Sequence, residues 1–87
     1  MTLDNKGKKE LGSYLKKIRE GRCTQLQVAQ KIGQSSGQYV SNIERGLCVP
    51  SIDAIQTYRE LLPPKERAAH RASVAGIFFH SIMRTLK

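Results

Sequence analysis

The hydrophobic residues of this chain recur at intervals of three and four positions, which is the spacing of one face of an α-helix. The first such segment runs from Lys9 to Glu20, and Gly21 after it is a typical helix end. Its apolar positions share one predicted face: Leu11, Tyr14, Leu15 and Ile18. Four further segments have the same spacing and none alternates as a strand would, so the pattern predicts an all-α fold.

The second and third helices are predicted on either side of a polar turn, QSSG, at positions 34–37. Thr24, with Gln27 three positions later, has the pattern of a capping box at the start of the second helix. The third helix is expected to begin with Ser35 or Ser36 as its N-cap and to extend to about Arg45. A glycine suited to the left-handed conformation follows each helix, at Gly33 and Gly46.

A fourth helix is predicted from Pro50–Ser51, and the prolines at 63 and 64 stop it. Its expected buried face consists of Ile52, Ile55, Tyr58, Leu61 and Leu62. The fifth helix, from Pro64 to about Leu86, carries apolar side chains over an arc that one small domain cannot easily cover. Packing against the first and fourth helices is one interpretation of this arc. We expect instead a dimer interface formed by Phe78, Phe79, Ile82 and Met83.

The excess of basic over acidic residues indicates which kinds of partner the protein is expected to bind. Among 87 residues, 15 are Lys or Arg and 7 are Asp or Glu, which gives a formal net charge of +8. This balance favours a polyanion, with nucleic acid ahead of an acidic membrane surface. The longest strongly apolar run, at positions 72–83, is too short to cross a bilayer, and no signal-peptide pattern precedes it. We therefore expect a single cytoplasmic domain that does not associate with membranes.

The residues that carry metal or catalytic chemistry are scarce and scattered. Cys23 and Cys48 lack the close Cys or His neighbours of a zinc site, and we expect two free thiols. His70 and His80 are ten positions apart, which does not place them side by side on a helix. No paired-carboxylate motif, Ser–His–Asp set or phosphate-binding glycine loop is present. We therefore expect no metal, no cofactor and no enzymatic activity.

The third predicted helix places polar side chains on one face, at positions 38, 41, 42 and 45. The amides of Gln38 and Asn42 match the N6 and N7 atoms of adenine, and Arg45 matches guanine or a phosphate. Tyr39 would lie against a thymine methyl group. A solvated helix surface explains the same pattern equally well, so this face does not by itself establish nucleic-acid binding.

The stretch TQLQVAQKIGQSSGQYVSNIERGLCVPSIDAI resembles the Cro/C1-type (XRE-like) helix-turn-helix family of phage repressors and bacterial regulators. The similarity covers residues 11–62 and lies in an ordered set of residues: Thr24, Gln25, Ala29, Gly33, Val40, Ser41, Ile43, the ERG at 44–46, and Pro50–Ser51. The resemblance implies a lambda-repressor-like five-helix bundle with a longer C-terminal helix. It also implies a homodimer that inserts its third helix into the major groove of double-stranded DNA at a palindromic operator.

The resemblance also assigns roles to individual residues. Gln25 matches a residue that binds a phosphate and braces the recognition helix. Gln38 matches a common base-reading position, and Ser41 and Asn42 match positions that contact bases or phosphate. The resemblance also implies a structural ion pair between Arg19 and Glu44. Apart from the resemblance, we expect DNA contacts from Ser36, Tyr39 and Arg45. The chain departs from the family pattern by one extra residue in GQSSG and one fewer in EGRCT. Gly37 also stands where many relatives carry a base-reading side chain.

Three parts are therefore expected: a flexible basic arm at 1–9, a helix-turn-helix domain at 10–62, and a C-terminal helix at 63–87 for packing and dimerisation. The predicted function is that of a sequence-specific transcriptional regulator, a repressor. Two alternatives stay open. One is an antitoxin-like module that binds a protein partner and an operator only secondarily, and the other is an RNA-associated helix-turn-helix protein.

Overall fold

The computed structural model describes residues 3–86, and these form five α-helices with no β-strand among them. A short 3-10 helix, Pro64–Glu66, precedes the last α-helix. The α-helices are α1 (Asn5–Arg19), α2 (Gln25–Ile32), α3 (Gln38–Glu44), α4 (Ile52–Glu60) and α5 (Arg67–Thr85). The predicted all-α class and the number of helices are confirmed.

The core forms where the apolar faces of the helices meet. α1 contacts α3, α4 and α5, and α2 contacts α3 and α4. Eight apolar side chains at these contacts are fully buried: Leu11, Leu15, Val28, Ala29, Val40, Ile43, Ala54 and Tyr58. Removing this apolar surface from water is the main favourable contribution to folding. The three- and four-residue spacing of the sequence thus corresponds to the observed core.

The predicted helix ends of α2 and α4 are confirmed in their hydrogen bonds. Thr24 Oγ1 accepts from the N–H of Gln27 at 3.1 Å, and Gln27 Oε1 accepts from the N–H of Thr24 at 2.8 Å, which completes the capping box. Ser51 Oγ accepts from the N–H of Ala54 at 3.1 Å at the start of α4. The glycines after α2 and α3 are left-handed, with φ of 89° at Gly33 and 74° at Gly46.

The start of α3 differs from the prediction. The N-cap is Gly37, and no side chain caps the helix. Ser36 Oγ accepts from the N–H of Gln38, but at 3.4 Å the bond is long and weak. The segment QSSG therefore lies wholly in the turn between α2 and α3 and adds no residue to the helix.

The buried face of α4 also differs from the prediction at one residue. Ile52 is 60% exposed, whereas Ala54 is fully buried. Ala54 and Tyr58 are four positions apart, so they lie on the same side of the helix and face the core together. Ile52, in the first turn of α4, does not lie on that side of the helix.

The predicted flexible arm at 1–9 is wrong for residues 3–9, and Met1 and Thr2 lie outside the described residues. α1 begins at Asn5, with Asp4 as its N-cap, and Leu3 is only 4% exposed. The backbone N–H of Asp4 donates to Ser81 Oγ at 2.7 Å. Because this partner lies 77 positions away on α5, the local polar composition of the segment does not reveal the contact.

A glycine permits the close approach of α1 to the end of α3. A Cβ atom at Gly12 would clash with the carbonyl oxygen of Ile43 and would lie 3.0 Å from that of Glu44. The neighbours are backbone atoms, which cannot move aside as a flexible side chain can. Gly12 therefore sets the distance between α1 and α3.

Candidate nucleic-acid interface

Glu44, at the end of α3, is bound from three other helices. Its carboxylate accepts from Arg19 Nε at 2.7 Å and Nη2 at 2.9 Å, from Tyr58 Oη at 2.6 Å, and from Gln25 Nε2 at 3.2 Å. We call these four residues the Glu44 cluster. The structure thus brings Arg19 and Glu44 together as the resemblance implies. The shorter EGRCT segment does not prevent the pairing, since Arg19 Nη1 also donates to the carbonyl of Cys23 in that segment, at 3.1 Å.

The Glu44 cluster holds a charge in a buried position. The side chain of Glu44 is 2% exposed and that of Arg19 is 13% exposed. Burial raises the pKa of the Glu44 carboxyl, but the hydrogen bonds from Arg19, Tyr58 and Gln25 outweigh burial, and the pKa stays below its usual value. Burial and the Glu44 carboxylate together raise the pKa of Tyr58. Glu44 is therefore ionised and Tyr58 protonated at neutral pH, as the hydrogen bonds require.

The outer side of α3 carries the polar side chains predicted for base reading. Gln38 and Arg45 are exposed, and Ser41 and Asn42 are half-buried. Gln38 Nε2 donates to Asn42 Oδ1 at 2.9 Å. Each side-chain amide has two donor hydrogens and one acceptor oxygen, so this bond leaves donors and acceptors on both residues. The two amides form one hydrogen-bonded unit, which we call the amide pair.

Tyr39, the residue after Gln38, makes a hydrogen bond within the protein. Its ring is half-buried against the core, and its hydroxyl accepts from the N–H of Ser51 at 3.0 Å. This bond joins α3 to the start of α4. The structure therefore gives the Tyr39 hydroxyl a partner within the protein.

Gln25 and Ser36 flank the amide pair. Gln25, in the first turn of α2, is half-buried, and it braces α3 through Glu44. Gly37 packs beside it, because a Cβ atom there would lie 3.6 Å from the Cβ of Gln25. Ser36 is exposed in the turn. The turn therefore passes beside α2 at ordinary van der Waals distance, with room for a Cβ at Gly37.

The residues expected to form a dimer interface divide into two groups. Phe78 is 8% exposed and belongs to the core, so its assignment to an interface is wrong. It faces inward because α5 packs on α1. The other three predicted residues are exposed: Phe79 at 58%, Ile82 at 48% and Met83 at 51%. Leu86, which was not among the predicted residues, is 63% exposed, and we call these four side chains the α5 apolar surface.

The helical spacing of α4 predicts Tyr58 as a core residue but does not reveal the hydrogen bond of its hydroxyl to Glu44. Buried tyrosines usually find a hydrogen-bond partner, which is the signal that was present in the sequence. The contacts of Asp4 and Ser81, and the buried position of His70, were also missed. These depend on residues far apart in the chain, and no local pattern indicates them.

Within residues 3–86, no helix has the length and apolar character needed to cross a lipid bilayer. Comparisons with protein-family models, with curated proteins and with solved structures found no match to this chain.

Proposed function

We propose that this protein is a sequence-specific DNA-binding regulator that reads the major groove with α3. The observation that carries the proposal is the arrangement around α3. The Glu44 cluster holds the inner side of the helix against three neighbours, while the amide pair and Arg45 lie on its outer side. A rigid helix with outward amides is what base reading requires, because bidentate hydrogen bonds tolerate little movement.

In the proposed complex, α2 crosses the DNA backbone and α3 enters the groove, as in helix-turn-helix proteins. The amide pair suits adenine, which offers a donor at N6 and an acceptor at N7. Arg45, at the C-terminal end of α3, suits guanine or a phosphate. The net charge of +8 supports the general attraction to the phosphates and predicts affinity that falls with salt.

We further propose a homodimer formed through the α5 apolar surface, in a lambda-repressor-like arrangement. Four exposed apolar residues within eight positions of one helix end are unusual on a small monomer. A twofold dimer would place two copies of α3 on successive major grooves. Binding of such a dimer across a promoter would act as repression.

The experiment that tests this function is the selection of bound sequences from random double-stranded DNA. We expect a palindrome with half-sites about one helical turn apart. A parallel selection from random RNA tests RNA recognition. Recovery of no shared DNA sequence, or of a shared sequence only in RNA, would contradict the proposal.

The second candidate function is an antitoxin-like module that binds a partner protein. The α5 apolar surface favours it as much as it favours a homodimer, because either partner would cover the same side chains. Sedimentation distinguishes the two. A purified chain that stays monomeric at high micromolar concentration, with and without DNA, would favour the antitoxin-like function.

A further inference from the structure

A cleft between α4 and α5 has a positively charged lining. Arg59 of α4 and His70 and Arg71 of α5 line it, and no carboxylate of the described residues does so. Ile55 and Val74 contribute apolar side chains to the same lining. Its volume is about 320 Å³, which lies at the lower end of the range for small-molecule sites.

Two side chains of this cleft have buried polar atoms that lack a hydrogen-bond partner within residues 3–86. His70 is 2% exposed, and within residues 3–86 neither of its ring nitrogens has a hydrogen-bond partner. The Nε of Arg59 is likewise buried and unpartnered in that part of the chain. Buried polar groups are normally paired, and leaving them unpaired is costly. Three such atoms at one cleft indicate that a ligand supplies the missing partner.

The imidazole of His70 is held in a defined position. Its ring stacks on Tyr14 of α1, with 5.6 Å between the ring centroids and 28° between the planes. Burial, with a smaller effect of the Arg59 charge, lowers the pKa of His70. The ring is therefore neutral at pH 7, and a neutral imidazole offers one N–H donor and one acceptor nitrogen.

We propose that this cleft binds a small organic anion, a carboxylate with a short apolar body. The carboxylate accepts hydrogen bonds from the Arg59 guanidinium and from the N–H of His70, and the exposed Arg71 adds a second positive charge. The planar guanidinium matches the two oxygens of a carboxylate. The apolar body packs against Ile55 and Val74. Water would supply hydrogen-bond partners to these atoms but no opposite charge to the Arg59 guanidinium, whose Nε is buried.

The proposed site joins α4 to α5, whose far end carries the α5 apolar surface. A ligand that binds only the folded protein stabilises it by mass action. An occupied cleft would therefore hold α5 more firmly on α4. The site does not depend on the proposed DNA binding, and either proposal can fail without the other.

The experiment is an NMR titration of the 15N-labelled full chain at constant ionic strength. The probes are hexanoate and benzoate, with hexanol, hexylamine, acetate and inorganic phosphate as matched compounds. We expect hexanoate or benzoate to shift the amide signals of residues 55–59 and 70–75 and to saturate below about 10 mM. Acetate and phosphate should bind at least about tenfold more weakly, and hexanol and hexylamine should give no saturable shift.

Two variants test the assigned residues. Arg59→Gln and the exposed Arg71→Gln should each weaken hexanoate or benzoate binding, by about tenfold for Arg59→Gln and by less for Arg71→Gln. Lys65→Gln, an exposed cation outside the cleft, should leave binding unchanged. If Arg59→Gln fails to fold, the binding of hexanoate or benzoate by Arg71→Gln still tests the proposed site. No saturable shift with any carboxylate, equal binding of hexanol or phosphate, or unchanged binding in the folded arginine variants would overturn the proposal.

Discussion

Arg84, in the last turn of α5, donates two hydrogen bonds to the carboxylate of Asp4, with Nε–Oδ2 at 2.7 Å and Nη2–Oδ1 at 2.9 Å. The same carboxylate accepts from the N–H of Gly7 at 2.7 Å and so caps α1. The side chain of Asp4 thus starts the first helix and ties it to the last. The bonds from Arg84 and Gly7 hold the pKa of Asp4 far below its usual value.

This ion pair predicts a loss of stability in acid. Because the folded protein lowers the pKa of Asp4, the unfolded chain binds the proton more readily, and the stabilisation present above about pH 4 is lost as the pH falls further. We expect Asp4→Asn to lower the Tm at pH 7 and to differ less from the wild type at pH 2. Thermal unfolding followed by circular dichroism measures this difference in Tm, with Asp53→Asn, at an exposed position of α4, as the control. A difference in Tm that stays constant with pH would contradict the assignment.

Replacing Glu44 should be severely destabilising. Glu44→Gln removes the buried charge that pairs with the partly buried Arg19, and breaking a buried ion pair by removing one partner costs about 3–5 kcal/mol in the free energy of unfolding. Urea unfolding at pH 7 measures this cost. The exposed Glu60→Gln should change the same free energy by less than about 0.5 kcal/mol. Equal effects of the two substitutions would show that the Glu44 cluster contributes little.

Two glycines in helices should respond to alanine in opposite ways. Gly12→Ala places a Cβ against the backbone of α3 and should lower the free energy of unfolding by about 1–3 kcal/mol. Gly76→Ala in α5 meets open space and should stabilise the protein by about 0.5–1 kcal/mol, because alanine favours the helix. The midpoint of urea unfolding, measured for both variants and the wild type, tests the two predictions. A stabilising Gly12→Ala would mean that α1 and α3 are farther apart than the structure shows.

The amide pair should contribute to affinity for the selected operator and not to folding. Gln38→Ala or Asn42→Ala should each weaken specific binding by about 1–3 kcal/mol, with an unchanged Tm. Since the two side chains share a hydrogen bond, the double variant should lose less than the sum. Gln56→Ala, an exposed amide on α4, serves as the matched control. Wild-type affinity in both single variants would remove these residues from the interface.

The α5 apolar surface should determine the oligomeric state. Ile82→Lys introduces a charge where the side chain is 48% exposed, so the fold should be kept while dimer affinity drops by at least about tenfold. Ala72→Lys, exposed on the same helix outside this surface, should sediment as the wild type does. Sedimentation equilibrium over a range of protein concentrations measures the dimer affinity of both variants. A dimer that Ile82→Lys does not weaken would have to use another surface.

The sequence by itself determined the helices and most of their ends. Helical spacing, the Thr24–Gln27 capping box and the glycines at 33 and 46 are local signals, since each depends on residues within about one turn of each other. The same signals place Gln38, Ser41, Asn42 and Arg45 along one side of α3. Whether that side reads DNA remains a prediction.

Only the tertiary structure decided which apolar and polar residues meet across the chain. Asp4 is ordered by Ser81 and Arg84, and Phe78 lies in the core while Phe79 stays exposed. The ring nitrogens of His70 are buried beside Arg59 with no hydrogen-bond partner among residues 3–86. Their contacts join residues that are distant in sequence or lie on different helices. The spacing of residues along one helix determines which side chains share a face of that helix. Which other helix packs against that face is determined by the packing of all five α-helices.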